Sequence, residues 1–382
     1  MTLFKPLIVD AHQDLAWNML TFGRDYTRSA YETRRLEART EIPRLNGDTL
    51  LGWPEYQHGR VALIFATLFA APTRKQEGEW DIQCYKDADQ ASSLYRQQLD
   101  AYNRLVGEHP DKFTLIQDRA ALRPHITAWE NALPWQPPDP EHAEDQEPDP
   151  GLPVGLVLSM EGAECVREVD ELAEWWEDGV RLIGPAWTGN RFCGGTGEPG
   201  KLTAAGYELL EAMAELGFVL DLSHMDPPAA MQALDVYPGT VIASHANPLA
   251  LMPREESNRF LPDELVEALI ERDGVVGVVP YNRFLDPNWV RGMRRELVGV
   301  EKVAAIIDHI CQVAGDAEHV GFGTDFDGGF GWQHVPHQID TIADLHLLLP
   351  LLSDKGYDDP DLAAIFGKNW LGMLQSALPE GK

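Results

Sequence analysis

Six side chains able to ligate a metal ion stand at the ends of short apolar runs in this chain. They are His12 and Asp14 after PLIVDA, Glu161 after PVGLVLSM, His224 after FVLDLS, His245 after TVIAS and Asp325 after HVGFGT. Imidazole and carboxylate together form the borderline donor set that zinc favours. His12 and Asp14, two apart where a strand would end, can reach one ion together. Six ligands exceed what one tetrahedral zinc takes, and suit two ions sharing a bridging carboxylate. Each residue alone is a weak signal. A lone His-x-Asp arises by chance, and a histidine at a strand end is more often a hydrogen-bonded structural group. Asp325 and Asp327 lie in DFDGG, where Asp-Gly favours a tight turn, and Glu161 before Gly162 reads equally as a loop carboxylate. Their coincidence carries the signal: five separate run ends, all with zinc-competent chemistry, none ending in Lys or Met.

The runs themselves must position these groups. Eight are visible, at 6–12, 60–70, 153–161, 180–187, 218–224, 240–245, 274–281 and 319–325. They are almost continuously hydrophobic rather than alternating, which fits parallel strands buried on both faces. Helical patterns fall between them at 85–107, 165–177, 203–216, 227–236, 262–272 and 301–314, and two more, 341–354 and 360–377, close the chain. Thr203 and Pro262 are placed to open two of these helices. Eight strands alternating with helices predict a single (β/α)8 barrel spanning 1–382, with the strand ends converging on its C-terminal mouth. An open, doubly wound sheet is disfavoured by the lack of a Gly-rich phosphate turn after the first strand.

Residues 134–153 are foreign to this pattern, with seven prolines and six acidic residues and no Lys or Arg. They read as a solvated loop insertion ahead of the third strand, at the barrel face away from chemistry. The glycines of 194–200 resemble a mobile mouth loop; without Lys-Ser/Thr they do not make a phosphate loop. Of 382 residues, 44% are hydrophobic, ample for a large core, and the net charge is −30. A field of that sign sets aside nucleic-acid and membrane-surface roles and reads as a solubility device. Neither a secretory leader nor an apolar span of about 18 residues is visible. The four cysteines are scattered without a C-x-x-C, so the expectation is reduced thiols and a cytoplasmic location.

The stretches VDAHQDLAWN, LVLSMEGAE, GVRLIGPAW, DLSHMD, ASHANPLAL, NRFLPDEL, VVPYNRFL, HVGFGTDFDGG and GKNWLGML follow one another in order from residue 9 to about 374. With them the chain resembles the membrane (renal) dipeptidase family of zinc metallopeptidases, a branch of the amidohydrolase superfamily. The resemblance implies a metallo-dependent hydrolase barrel with two zinc ions per chain. It implies that His12, Asp14 and Glu161 hold one zinc and Glu161, His224 and His245 the other, with Glu161 bridging. It places Asp325 beside the first ion as the acid/base, Arg259 on the substrate carboxylate, and Tyr281 in the wall of the same pocket. Zinc ions sharing a water lower its pKa from ~15.7 towards ~7, so the implied reaction is hydrolysis of a dipeptide by a metal-bridging hydroxide. A D-residue at the C-terminal side is among the substrates that such relatives accept. A homodimer is a further expectation from the resemblance.

The match breaks where the family usually carries a Thr-His-Asn segment after the GVR strand. Here GVRLIGPAWTGN puts Trp187 at the histidine position. An indole offers one donor and no charge, and loss of a preorganised donor can cost ~10²–10³ in rate. Phe260 follows Arg259 where the family often has Asn, and with Trp187 it predicts a more aromatic pocket preferring bulky or apolar side chains. Trp187 keeps open a second reading, a binuclear-metal amidohydrolase acting on another amide, lactam or lactone. A third is a non-catalytic metal-binding scaffold, against which Asp325 speaks because a scaffold has no need of an acid/base.

Overall fold

The computed structural model describes residues 5–133 and 151–381. Most of the expected acidic insertion, 134–150, lies outside the described residues. Eight parallel strands form the barrel: β1 Ile8–Gln13, β2 Val61–Phe69, β3 Val154–Glu161, β4 Val180–Gly184, β5 Val219–Asp221, β6 Val241–Ile242, β7 Val276–Val278 and β8 Val320–Phe322. Their order around the sheet is that of the chain, and β8 pairs back onto β1 with Asp10 opposite Phe322. The remaining seam, β6 to β7, is joined by a bridge between Ala243 and Val276 and by Gly277 N–H donating to Ala243 O at 2.8 Å. The eight apolar runs thus become the eight staves. Their β-branched residues are wholly buried, as Ile8, Val61, Ile64 and Val276 illustrate, because parallel strands under a ring of helices face no water.

Closure at this seam depends on two glycines. A Cβ at Gly277 would lie 1.8 Å from Ser244 O, and one at Gly323 would lie 1.7 Å from the same atom. No side chain fits there, so β6, β7 and β8 approach closely at the level where His245 leaves the sheet.

The outer helices match the sequence pattern where amphipathic periodicity is long. Ala204–Leu216 starts behind Thr203, whose hydroxyl accepts from Gly206 N–H at 3.1 Å, and Pro227–Val236 and Glu301–Ala314 have the expected limits. The segment 360–377 is broken by a π-helical turn at Ala364–Lys368, and 341–354 begins as a 3-10 helix, Ile342–Leu347. Unexpected elements fill the two longest connections. Helices Leu15–Phe22, Ala30–Glu37, Ile42–Leu45 and Trp53–Gly59 lie between β1 and β2, and Arg119–Asn131 lies before β3. A short strand, Phe113–Leu115, pairs with the start of β3, and Ala71–Pro72 pairs with Cys84–Tyr85 beside the mouth. All four cysteines are buried and unpaired. Among the described residues no helix is long and apolar enough to cross a membrane.

Candidate active site

The strand ends bring the six predicted ligands into one hollow. His12 Nε2 lies 3.6 Å from Asp14 Oδ2, 3.7 Å from Glu161 Oε2 and 3.9 Å from Asp325 Oδ1. Glu161 Oε1 lies 3.0 Å from His224 Nε2 and 3.2 Å from His245 Nε2, and those two nitrogens are 3.0 Å apart. Glu161 therefore turns one oxygen to each group of ligands. The local backbone supports this convergence at a cost. His224 and Asp325 have φ of 66° and 55°, a left-handed conformation costing on the order of 1–3 kcal/mol in a non-glycine residue. The turn after β8 is further tied down by Asp325 N–H donating to His12 O at 3.2 Å.

A second layer fixes the imidazoles. Ser244 Oγ donates to Asp221 Oδ2 and lies 2.8 Å from His245 Nδ1. With its proton given to Asp221, the hydroxyl can only accept from Nδ1–H, which leaves the lone pair of His245 on Nε2, inside the hollow. Thr196 Oγ1 stands 2.8 Å from His224 Nδ1, and Thr67 Oγ1 stands 3.4 Å from His12 Nδ1. Thr196 belongs to the glycine segment 194–200, which is pinned rather than loose. Gly195 bridges Glu198 and Met225, and Asn258 Nδ2 donates to Gly195 O at 2.9 Å. The tight glycines serve to bring Thr196 under His224: a Cβ at Gly195 would meet Thr188 backbone at 2.6 Å.

The charges in the hollow are unbalanced. Burial pushes Glu161 well above the usual carboxylate range, with His12 pulling it back, and burial pushes Asp325 up to about 7. Burial alone would lower His12, but Glu161, Asp14 and Asp325 outweigh it and carry the imidazole up to about 10. His224 and His245 are held well below the ordinary histidine value, first by burial and then by the cations Arg259 and His12. His12 Nε2 and Asp14 Oδ1 are buried without a hydrogen-bond partner. Three carboxylates and three imidazole nitrogens that face one another across one hollow make a donor set that fits divalent cations.

A cavity of about 240 Å³ opens on this hollow. Arg259 lines it and is buried; its Nη2 donates to His245 O at 2.5 Å, and its Nε has no partner. Tyr281 stacks on Phe330 at 4.4 Å between ring centroids. Trp187 also lines the cavity, 5.2 Å from the Phe69 ring and 6.2 Å from His224. Phe260 does not: it is buried behind Phe284, its ring 5.3 Å away in an edge-on contact. The aromatic lining comes instead from Trp17, Phe69, Trp80, Trp187, Tyr281, Phe284 and Phe330.

Comparison with known proteins decides the family. The family model described as membrane dipeptidase, peptidase family M19, matches residues 142–378, more than half of the chain. The chain belongs to the membrane dipeptidase family. Its enzyme class is that of the metallo-dipeptidases. It is 32% identical over 233 residues to an uncharacterized Klebsiella pneumoniae protein in the pqqA 5′ region, covering 58% of this chain and 82% of that one. It is 24% identical over 385 residues to dipeptidase aclJ of Aspergillus oryzae, covering 97% and 78%. Its fold is shared with a metallopeptidase from Rhodobacter sphaeroides, solved with a phosphinate mimic of L-Ala-D-Ala, at a TM-score of 0.74 and 23% identity over 98% and 100% of the two chains. For a dipeptidase-family member, sequence reading missed Thr67, Thr196, Asp221 and Ser244. Asp221, three residues ahead of His224, was the one available signal for a carboxylate behind the ligands.

Proposed function

We propose that this family member hydrolyses dipeptides at two zinc ions, with the whole chain acting as one catalytic unit. His12, Asp14 and Glu161 would hold one ion, and Glu161, His224 and His245 the other. The observation that carries the reading is the hollow itself, where six ligand side chains converge with orphaned buried atoms beside a buried arginine. Bound there, such ions supply Lewis acidity, which makes water a nucleophile near neutral pH and polarises the scissile carbonyl.

The protein's own groups account for the rest. Asp325, whose Oδ1 lies 3.9 Å from His12 Nε2 in the hollow, can take the proton from the attacking water and pass it to the departing amine. Arg259, which lines the cavity and has an unpaired Nε, holds the free carboxylate and limits substrates to those ending one residue beyond the cut. The tryptophan wall excludes water and favours an apolar N-terminal side chain. L-D as well as L-L dipeptides belong in the substrate class, a breadth supported by the phosphinate ligand of the Rhodobacter sphaeroides relative.

The test is a panel of L-L and L-D dipeptides against wild type and Asp325→Asn. Cleavage that the substitution abolishes is expected. A silent panel from a metal-loaded protein would overturn the reading. In that case Trp187, which offers an indole where the family has an imidazole, favours another amide, a lactam or a lactone as the bond cut.

A further inference from the structure

We propose that Arg291 forms a second anion subsite in the cavity, which takes the side-chain carboxylate of an acidic C-terminal residue. This deepens the dipeptidase reading and rests on its assignment of the terminal carboxylate to Arg259. Two arginines line the same cavity, Arg259 buried and Arg291 exposed. One aromatic wall connects them. The Arg259 guanidinium lies 5.5 Å from the centroid of Phe284, the Phe284 ring lies 5.0 Å from Tyr281, and the charge of Arg291 acts on the Tyr281 hydroxyl. A residue whose α-carboxylate is held by Arg259 extends its side chain along this wall towards Tyr281 and Arg291.

Arg291 differs from the cations around it. Arg283 is paired with Glu255 at 2.5 Å, Arg294 with Glu296 at 3.3 Å, Lys302 with Asp286 at 3.3 Å, and Lys75, across the cavity lining, with Glu198 at 3.2 Å. Among the described residues no carboxylate lies within ion-pair distance of Arg291. Its Nη2 donates to Gly329 O, which leaves the remaining donors of the guanidinium fork for a ligand. The charge balance makes such a group useful. With 61 acidic against 31 basic residues, the far field of the chain repels an anionic substrate, and a local cation offsets that repulsion. Glu77 and Asp81, also in the lining, repel a carboxylate from their part of the cavity and leave the Arg259–Arg291 wall to receive it.

The competing role for Arg291 is structural, since its bond to Gly329 holds the turn that follows Asp325. That role would affect all substrates alike. The discriminating measurement is kcat/KM of the metal-loaded enzyme for Ala-Glu against its neutral isostere Ala-Gln, with the second residue L or D. Wild type is expected to prefer the acidic member by about tenfold, the usual weight of a charge-assisted hydrogen bond at a partly exposed site. Arg291→Met should bring the ratio near one, and Arg291→Lys should keep part of it. A wild-type ratio of one or less, or a preference surviving in Arg291→Met, would overturn the proposal. Calorimetric binding of free glutamate against glutamine to the same proteins separates this failure from that of the dipeptidase reading. Tighter glutamate binding lost in Arg291→Met keeps the subsite even if no dipeptide is cleaved. Equal or undetectable binding of both, without turnover, removes both.

Discussion

Asp325 and Asp327 are two residues apart in one turn, both with left-handed backbone, yet they belong to opposite kinds of buried charge. The carboxylate of Asp327 is fully paired. It takes Arg24 Nη1 at 3.0 Å with both side chains inaccessible to solvent, and also accepts from Tyr26 Oη, Thr49 Oγ1 and Leu50 N–H at 2.9, 2.5 and 3.0 Å. The other arm of Arg24 is held by Glu37 at 3.0 and 3.1 Å. Asp325 faces the hollow of candidate metal ligands, where carboxylates outnumber cations and buried atoms lack partners. The first region locks the loops between β1 and β2 to the turn after β8. The second is left incomplete within the protein. Buried charge that is satisfied marks scaffold, and buried charge that is not marks the place where a cation completes the structure.

Exchanging the roles of the two aspartates tests this contrast most severely. Asp325→Asn should lower kcat by on the order of 10²–10⁴-fold, while a urea melt of the metal-free protein shows no loss of stability, because one of the crowded carboxylates is gone. A large destabilisation would assign Asp325 to the scaffold instead. Asp327→Ala should do the reverse in kind, costing about 3–5 kcal/mol in the same melt because Arg24 is left buried and unpaired. A change within about 0.5 kcal/mol, the usual size for a surface site, would break the comparison from the other side.

A smaller effect sharpens it through pH. In the metal-free protein His12 holds its proton up to about 10, against an ordinary 6.5. The folded state thus binds that proton more tightly than the unfolded chain does. The resulting stabilisation is complete below about 6.5 and is lost as pH climbs towards 10, amounting to a few kcal/mol. Metal-free wild type should therefore lose stability across this window and His12→Gln should lose less; identical slopes would show that the carboxylates around His12 do not act on it. The smallest change expected is at Trp187. Trp187→His supplies a second-row donor beside His224 and should raise kcat on dipeptides by about tenfold, below the full worth of a donor in a site built around it. A fall would mean that the indole itself serves the bound substrate.

The sequence was most readable where one physical signal dominated. The staves of the barrel are buried on both faces, so apolar β-branched runs mark all eight, and their ends mark His12, Asp14, Glu161, His224, His245 and Asp325 as neighbours once a barrel is assumed. The helices between Leu15 and Gly59 escaped because they are short and interrupted by Gly and Pro, and owe their stability to tertiary contacts more than to periodicity. The Arg24–Asp327 pair joins positions almost the length of the chain apart, which no local pattern reports. Single hydroxyls such as Ser244 and Thr196 carry no signal until the imidazoles they orient are placed. Phe260 illustrates the opposite error: adjacency to Arg259 suggested a pocket wall, and the backbone turns the ring behind Phe284 instead.

We propose that the hollow takes two zinc ions, with Glu161 a ligand to both. Elemental analysis of the purified protein, after zinc is supplied and excess removed, tests it directly when wild type is measured beside Glu161→Gln. Two zinc ions per chain in wild type and a clear loss in the variant are predicted. A wild-type protein that holds no metal under those conditions would contradict the account.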